Sequence, residues 1–154
     1  MKTKEYSNGD VTVVWAPDKC IHSGICVKTL PKVYNTNERP WVKPENATSG
    51  ELVEQCAMCP SGALSIKTIR YEQEDNGKNG RFVLYFNDEF AGEITYTWAG
   101  DETIIIDHTG VEEKFGRKGF GKALLQKVVL FARNKDLQII PHCSFAAKHL
   151  KKNK

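Results

Sequence analysis

The stretch that most constrains this chain runs from Thr103 to Arg133. A short apolar run, Thr103-Ile104-Ile105-Ile106, comes first, and a loop holding Gly116, Gly119 and Gly121 follows. The loop passes without a break into a segment where Phe120, Leu124, Val128 and Phe131 recur at helical spacing, with Leu125, Val129 and Ala132 widening the same face. The order is therefore buried strand, glycine loop, amphipathic helix. The first turn of a helix has amide groups without intrahelical partners and the positive end of the helix dipole, and glycine lets a ligand approach the backbone closely. Such a turn suits phosphate or pyrophosphate.

Two common phosphate motifs do not match. The P-loop needs Lys-Ser/Thr after its last glycine, and here Gly121 is followed by Lys122-Ala123. The dinucleotide fingerprint needs a βαβ unit with a distant acidic residue, and Gly116-Arg117-Lys118-Gly119-Phe120-Gly121 meets its spacing only loosely.

Upstream of the loop the pattern is of strands. Glu93 to Trp98 alternates, with Ile94, Tyr96 and Trp98 on one face and Glu93, Thr95 and Thr97 on the other. Asp75-Asn76-Gly77-Lys78-Asn79-Gly80 reads as a hairpin tip joining Ile66–Glu72 to Arg81–Phe86. A last strand at Leu137–Ile140 completes an antiparallel-rich mixed sheet with a helix packed on it. The boundary with the first part of the chain falls near Thr68, so residues 1–68 and 69–154 are expected as two modules, the second able to fold from about Ile69 onward.

The first module carries the other strong signal, Cys20-x5-Cys26, a long gap, then Cys59-Pro60. Val11–Trp15 reads as a strand. Thr48-Ser49-Gly50-Glu51 reads as a capping box opening a helix through Cys56, which must stop near Cys59 because Pro60 cannot continue it. Ala63–Ile66 reads as a strand. No apolar run reaches transmembrane length, the first ten residues lack a signal-peptide core, and the chain is expected to be cytoplasmic. Five cysteines in a reducing compartment point to metal binding or reactive thiols. The net charge of +3 comes from scattered lysines with one terminal cluster, so neither a nucleic-acid nor a membrane partner is expected.

The cysteine pattern resembles the divergent single-cluster ferredoxin-like domains, over about residues 10–67. Against the bacterial triplet, Cys20 and Cys26 hold the outer positions, Ser23 the middle one, and Cys59-Pro60 the remote one. The resemblance implies an iron–sulfur cluster on Cys20, Cys26 and Cys59. With three thiolates, a 3Fe–4S cluster and a 4Fe–4S cluster both stay open. For the latter the fourth ligand would be Ser23, His22, solvent or Cys56, although Cys56 reads equally as a small buried residue. A Cys3His zinc site through His22 is the competing assignment.

Residues 69–150 resemble the compact GCN5-related N-acetyltransferases (GNAT). The residues that carry this are Asp107-His108-Thr109, the Phe-x-x-x-Gly-Phe-Gly-Lys-Ala-Leu loop, and Ile139-Ile140-Pro141-His142-Cys143-Ser144. The resemblance implies acetyl-CoA, its pyrophosphate on Gly116, Arg117, Lys118, Gly119, Phe120, Gly121 and Lys122, and its thioester carbonyl facing the backbone of Thr109, Gly110 and Val111. It implies an amine acceptor, small or on a protein. His108 is then a candidate base, with Glu112 and Glu113 as alternatives, and Cys143 a candidate reactive thiol or a site-lining residue. Two departures bear on turnover. Gly110 stands where the family has glutamate, and no tyrosine follows Leu150 to protonate the leaving thiolate.

The expected fold class is α+β: a small ferredoxin-like iron–sulfur domain, then a compact GNAT-like mixed sheet with packed helices. The expected activity is acetyl transfer from acetyl-CoA to an amine. The rivals are a redox-sensing module that binds CoA without transfer, and an electron carrier whose second domain docks a redox partner.

Overall fold

In the computed structural model, residues 3–9, 11–20, 24–116 and 118–152 are described. Lys4–Ser7 (β1), Thr12–Trp15 (β2) and Leu64–Ile66 (β3) make a three-stranded antiparallel sheet in the order β1-β2-β3. Between β2 and β3 lie the five-residue helix Ile25–Thr29 (α1) and the helix Ser49–Ala57 (α2). The capping box forms as the sequence predicts. The Glu51 amide donates to the Thr48 hydroxyl, and the Glu51 carboxylate accepts from the Thr48 amide. Leu52, Val53, Cys56 and Ala57 put the apolar side of α2 inside the protein.

The second sheet has five strands in sequence order: Ile69–Asp75 (β4), Asn79–Phe86 (β5), Glu89–Trp98 (β6), Thr103–Val111 (β7) and Gln138–Pro141 (β8). The first four are antiparallel neighbours, and β8 returns parallel to β7 after the crossover helix Phe120–Asn134 (α3). The hairpin tip, the alternation of Ile94 and Tyr96, and the helix starting at Phe120 stand as the sequence predicts, but the strand before the tip starts at Ile69 and runs to Asp75, and Ile66 belongs to β3 of the first sheet. A helix at Ser144–Lys152 (α4) follows β8. Helix α3 covers one face of this sheet. Phe120, Leu124, Leu125 and Val128 pack toward Leu84, Ile94, Tyr96, Ile104 and Ile106, all buried. The other face carries Arg81 paired with Glu74 and Glu93.

The expected module boundary at residue 68 falls in the exposed two-residue turn between β3 and β4. Helices α2 and α3 pack against each other across that boundary, and one apolar core runs from Val13 through Leu52 and Leu124 to Ala146. The Gln126 side chain donates to the Glu54 carboxylate at 3.2 Å. A fragment beginning at Ile69 would expose the side of α3 that α2 covers.

Candidate functional site

Three of the five cysteines converge. Cys20, after the 3-10 turn Pro17–Lys19, Cys26 in α1 and Cys59, two residues past α2, line one mostly apolar cavity of about 580 Å³. Trp15, Trp41, Ile25 and Leu64 make its walls. The Trp15 and Trp41 rings meet edge to face at 4.9 Å. Gly24, at φ +77°, turns the chain into Cys26 in a conformation open to glycine but costly for other residues. Burial holds the Cys26 thiol above its ordinary range. The Val27 amide pulls against this, and the nearby charges of Cys59 and Cys20 push with it. Thiols that raise one another's pKa need a cation between them to ionise together. Three soft donors in an apolar pocket fit an iron–sulfur cluster.

Cys56 is not part of that wall. It is buried, lies 3.9 Å from the Tyr34 hydroxyl, and burial pushes its thiol up to about 12 despite that hydrogen bond. These are the surroundings of a packed thiol. His22 and Ser23 lie outside the described residues, and so does Arg117. Among the described residues, no three His, Cys, Asp or Glu side chains are grouped closely enough to hold a single metal ion.

The second site lies at the other end of the molecule's helix pair. Strand β8 pairs with β7 only from Thr103 to Ile106. There the two part. The amides of His142 and Cys143 both donate to the Ile106 carbonyl at 3.1 Å, and the chain turns into α4. Past the bulge at Asp107, from His108 to Val111, β7 pairs with β6 alone among the described residues. Beyond Ile106 no strand of the described residues pairs with that edge of β7, and at Thr109 the backbone amide bonds the Cys143 thiol instead, leaving Gly110 and Val111 without a strand partner there. Cys143 stands at the mouth of the gap. Its thiol donates to the Thr109 hydroxyl at 3.6 Å. Partial burial raises its pKa, but the Ala146 amide, the Thr109 hydroxyl and the Phe145 amide outweigh that and hold it below the ordinary thiol value. The start of α4 supplies two of those donors.

His108 is exposed and lies on the opposite face of β7 from Thr109. A side chain at Gly110 would meet His108 Nε2 at 2.8 Å. The imidazole thus occupies the space that a longer residue at 110 would use. Glu112 and Glu113 are exposed in the loop beyond.

The glycine loop ends on the αL residue Gly119, which opens α3 at φ +80°. Gly116, Gly119, Phe120, Gly121 and Lys122 line a cavity of about 420 Å³ with Val111. Lys118 turns away, its ammonium 5.6 Å from the centre of the Phe86 ring. Two of the glycines also have packing reasons. A Cβ at Gly119 would meet the Gly50 carbonyl at 2.8 Å, and one at Gly121 would meet the Phe145 ring at 3.0 Å. Substitution at either position would therefore disturb α2 or α4 as well as the cavity. Gly116 has φ −61° and only the Glu113 carbonyl nearby, at 3.3 Å, so it is the cleaner probe of the cavity.

Sequence reasoning missed that Thr48, Gly50, Glu51 and Glu54 of the first sheet's helix share this cavity. The available signal was Gly50 itself, a glycine in the first turn of a helix, where the residue lowers helix propensity and invites a close-approach reason.

Comparison with known proteins gives two family matches. Residues 6–68 match the model described as a divergent 4Fe-4S mono-cluster, and residues 81–154 match the GCN5-related N-acetyl-transferase model. The chain is 32% identical over 62 residues to the uncharacterized protein YjdI of Escherichia coli strain K12, covering 40% of this chain and 82% of that protein. Among solved structures it is similar to a GNAT family acetyltransferase from Elizabethkingia anophelis with acetyl-CoA bound, at 20% identity and TM-score 0.47, over 56% of this chain and 74% of the other. A GCN5-like protein from Staphylococcus aureus is 38% identical with TM-score 0.45, over 56% of this chain and 82% of the other.

Proposed function

We propose, for a chain that belongs to the divergent 4Fe-4S mono-cluster family over residues 6–68 and to the GCN5-related N-acetyltransferase family over residues 81–154, that it binds an iron–sulfur cluster and transfers acetyl from acetyl-CoA to an amine. The observation that carries the transferase reading is the parting of β7 from β8 at Ile106, next to a glycine loop that opens α3. The gap would receive the pantetheine arm, and the helix start the pyrophosphate. Charge-assisted bonds from backbone amides to phosphate contribute more than neutral ones, and Lys122 adds attraction that salt screens.

The chemistry needs a polarised thioester carbonyl, a base for the amine and an acid for the departing thiolate. The backbone of Thr109 to Val111 polarises the carbonyl. His108, with its ring over Gly110, accepts the amine proton. The acetyl C–S bond breaks as the C–N bond forms, and Cys143 delivers its proton to the CoA thiolate. A thiol held below its ordinary pKa is the stronger acid of that pair, so the transfer runs downhill. Cys20, Cys26 and Cys59 would hold the cluster, which supplies one-electron redox chemistry when bound.

Titration of acetyl-CoA against the wild type, Gly116→Val and Lys122→Ala tests the binding. Loss in the glycine variant with a modest change for the lysine supports the reading, and no binding by the wild type overturns it. For transfer, Cys143→Ala should lower kcat by at least about tenfold with KM for acetyl-CoA unchanged. Iron and sulfide analysis of anaerobic protein, with Cys59→Ala as control, tests the cluster. Stoichiometric zinc without sulfide would replace it with the zinc reading.

A further inference from the structure

We infer that the acetyl-CoA site is composite, with the first turn of α2 as one of its walls, so that the cluster half of the protein sets the shape and charge of the phosphate pocket. This rests on the reading that the Gly116–Lys122 loop holds acetyl-CoA. The cavity in front of the loop is bounded on one side by Gly116, Gly119 and Lys122 and on the other by Thr48, Gly50 and Glu54. The two helix starts touch. An added Cβ on Gly119 would lie 2.8 Å from the Gly50 oxygen and 2.9 Å from its Cα, so no side chain fits at Gly119. Behind the contact, α2 and α3 share buried faces, and Glu54 accepts from Gln126.

The contribution of α2 is steric and electrostatic. Its capping box already uses the Thr48 and Glu51 amides, and Glu51 spends its carboxylate on that bond. What remains toward the cavity is the Gly50 backbone and the half-exposed Glu54 carboxylate. The first fixes the width of the pocket, and the second opposes phosphate. At its other end α2 leads within two residues to Cys59, a cluster ligand in the proposed function.

The test uses the full chain, loaded anaerobically, with acetyl-CoA as probe. At Gly50 a side chain has room in the helix, since its Cβ would lie 3.8 Å from Gly119, an ordinary contact, but valine methyls would enter the cavity. Gly50→Val with wild-type iron content and far-ultraviolet circular dichroism should bind acetyl-CoA about tenfold more weakly or worse. Unchanged affinity in that variant, with the wild type binding normally, overturns the inference and leaves the proposed function intact. Failure of the wild type to bind overturns that function instead. Should Gly50→Val lose its iron, Glu54→Gln decides. This isosteric change should tighten acetyl-CoA by about threefold at low ionic strength, fading with salt. Equal affinity at every salt concentration counts against a wall made by α2.

Discussion

The clearest single-residue constraint is one the sequence hides. Gly80 sits in β5 opposite Tyr96, and a Cβ there would lie 2.3 Å from the tyrosine ring. The ring cannot step aside. Its hydroxyl donates to Asp75 at 2.7 Å and accepts from Gln73 at 2.9 Å, and it packs on Phe82, Phe131 and Trp98. Gly80→Ala should therefore destabilise the protein by about 1–3 kcal/mol, the usual cost of overpacking, measured by urea unfolding. A neutral result would mean that the ring has another place to go. The cysteines also separate at this scale. With the cluster ligands occupied, iodoacetamide at neutral pH should label Cys143, whose thiol sits low, and spare Cys56, whose thiol is buried and pushed up to about 12. Mass spectrometry reads the outcome, and equal labelling would contradict both environments.

Among the elements, the β4–β5 hairpin shows how one carboxylate fixes a turn. Asp75 accepts from the Gly77 amide, the Tyr96 hydroxyl and the Trp98 indole. Burial pushes its pKa up, but these hydrogen bonds outweigh that and hold it below the usual carboxylate range. A depressed carboxylate pKa contributes stability that is present above the unfolded value and is lost as pH falls through the folded one. The thermal unfolding midpoint should thus fall as pH drops below the ordinary aspartate range, and Asp75→Asn should flatten that part of the profile. An unchanged profile would assign the acid loss to other groups.

Much of the element layout was legible. The alternation in β6, the turn residues at 75–80, the capping box at Thr48 and the helix from Phe120 each rest on local rules that nothing distant overrides. The five-residue α1 and the four-residue β1 were not, because such short pieces exist only through packing on β2 and α2. Of the candidate site, the cysteine spacing, the glycine loop and Cys143 were readable as patterns. The position of His108 over Gly110 and the contact of Gly50 with Gly119 were not, since both depend on which backbones meet in space. Buried Gln55 and Gln126 were equally silent, being polar residues in a core shared by two helices.

For the whole molecule, the feature with the widest reach is that α2 and α3 hold the two sheets together while the chain itself crosses between them only at an exposed turn, Lys67-Thr68. The peptide bond and the packing are thus two independent tethers. Cutting the bond at that turn should leave a nicked protein that still migrates as one particle on gel filtration, the fragments parting only in denaturant. Produced apart, residues 1–67 and 68–154 should each unfold more readily than the intact chain and recover on mixing. Fragments that stay separate would show that apolar burial between α2 and α3 is too weak without the covalent link. If they do reunite, the fusion is best understood as a stoichiometry device: it guarantees one partner for each half and raises their effective concentration, while complementarity between two helix faces decides how they sit.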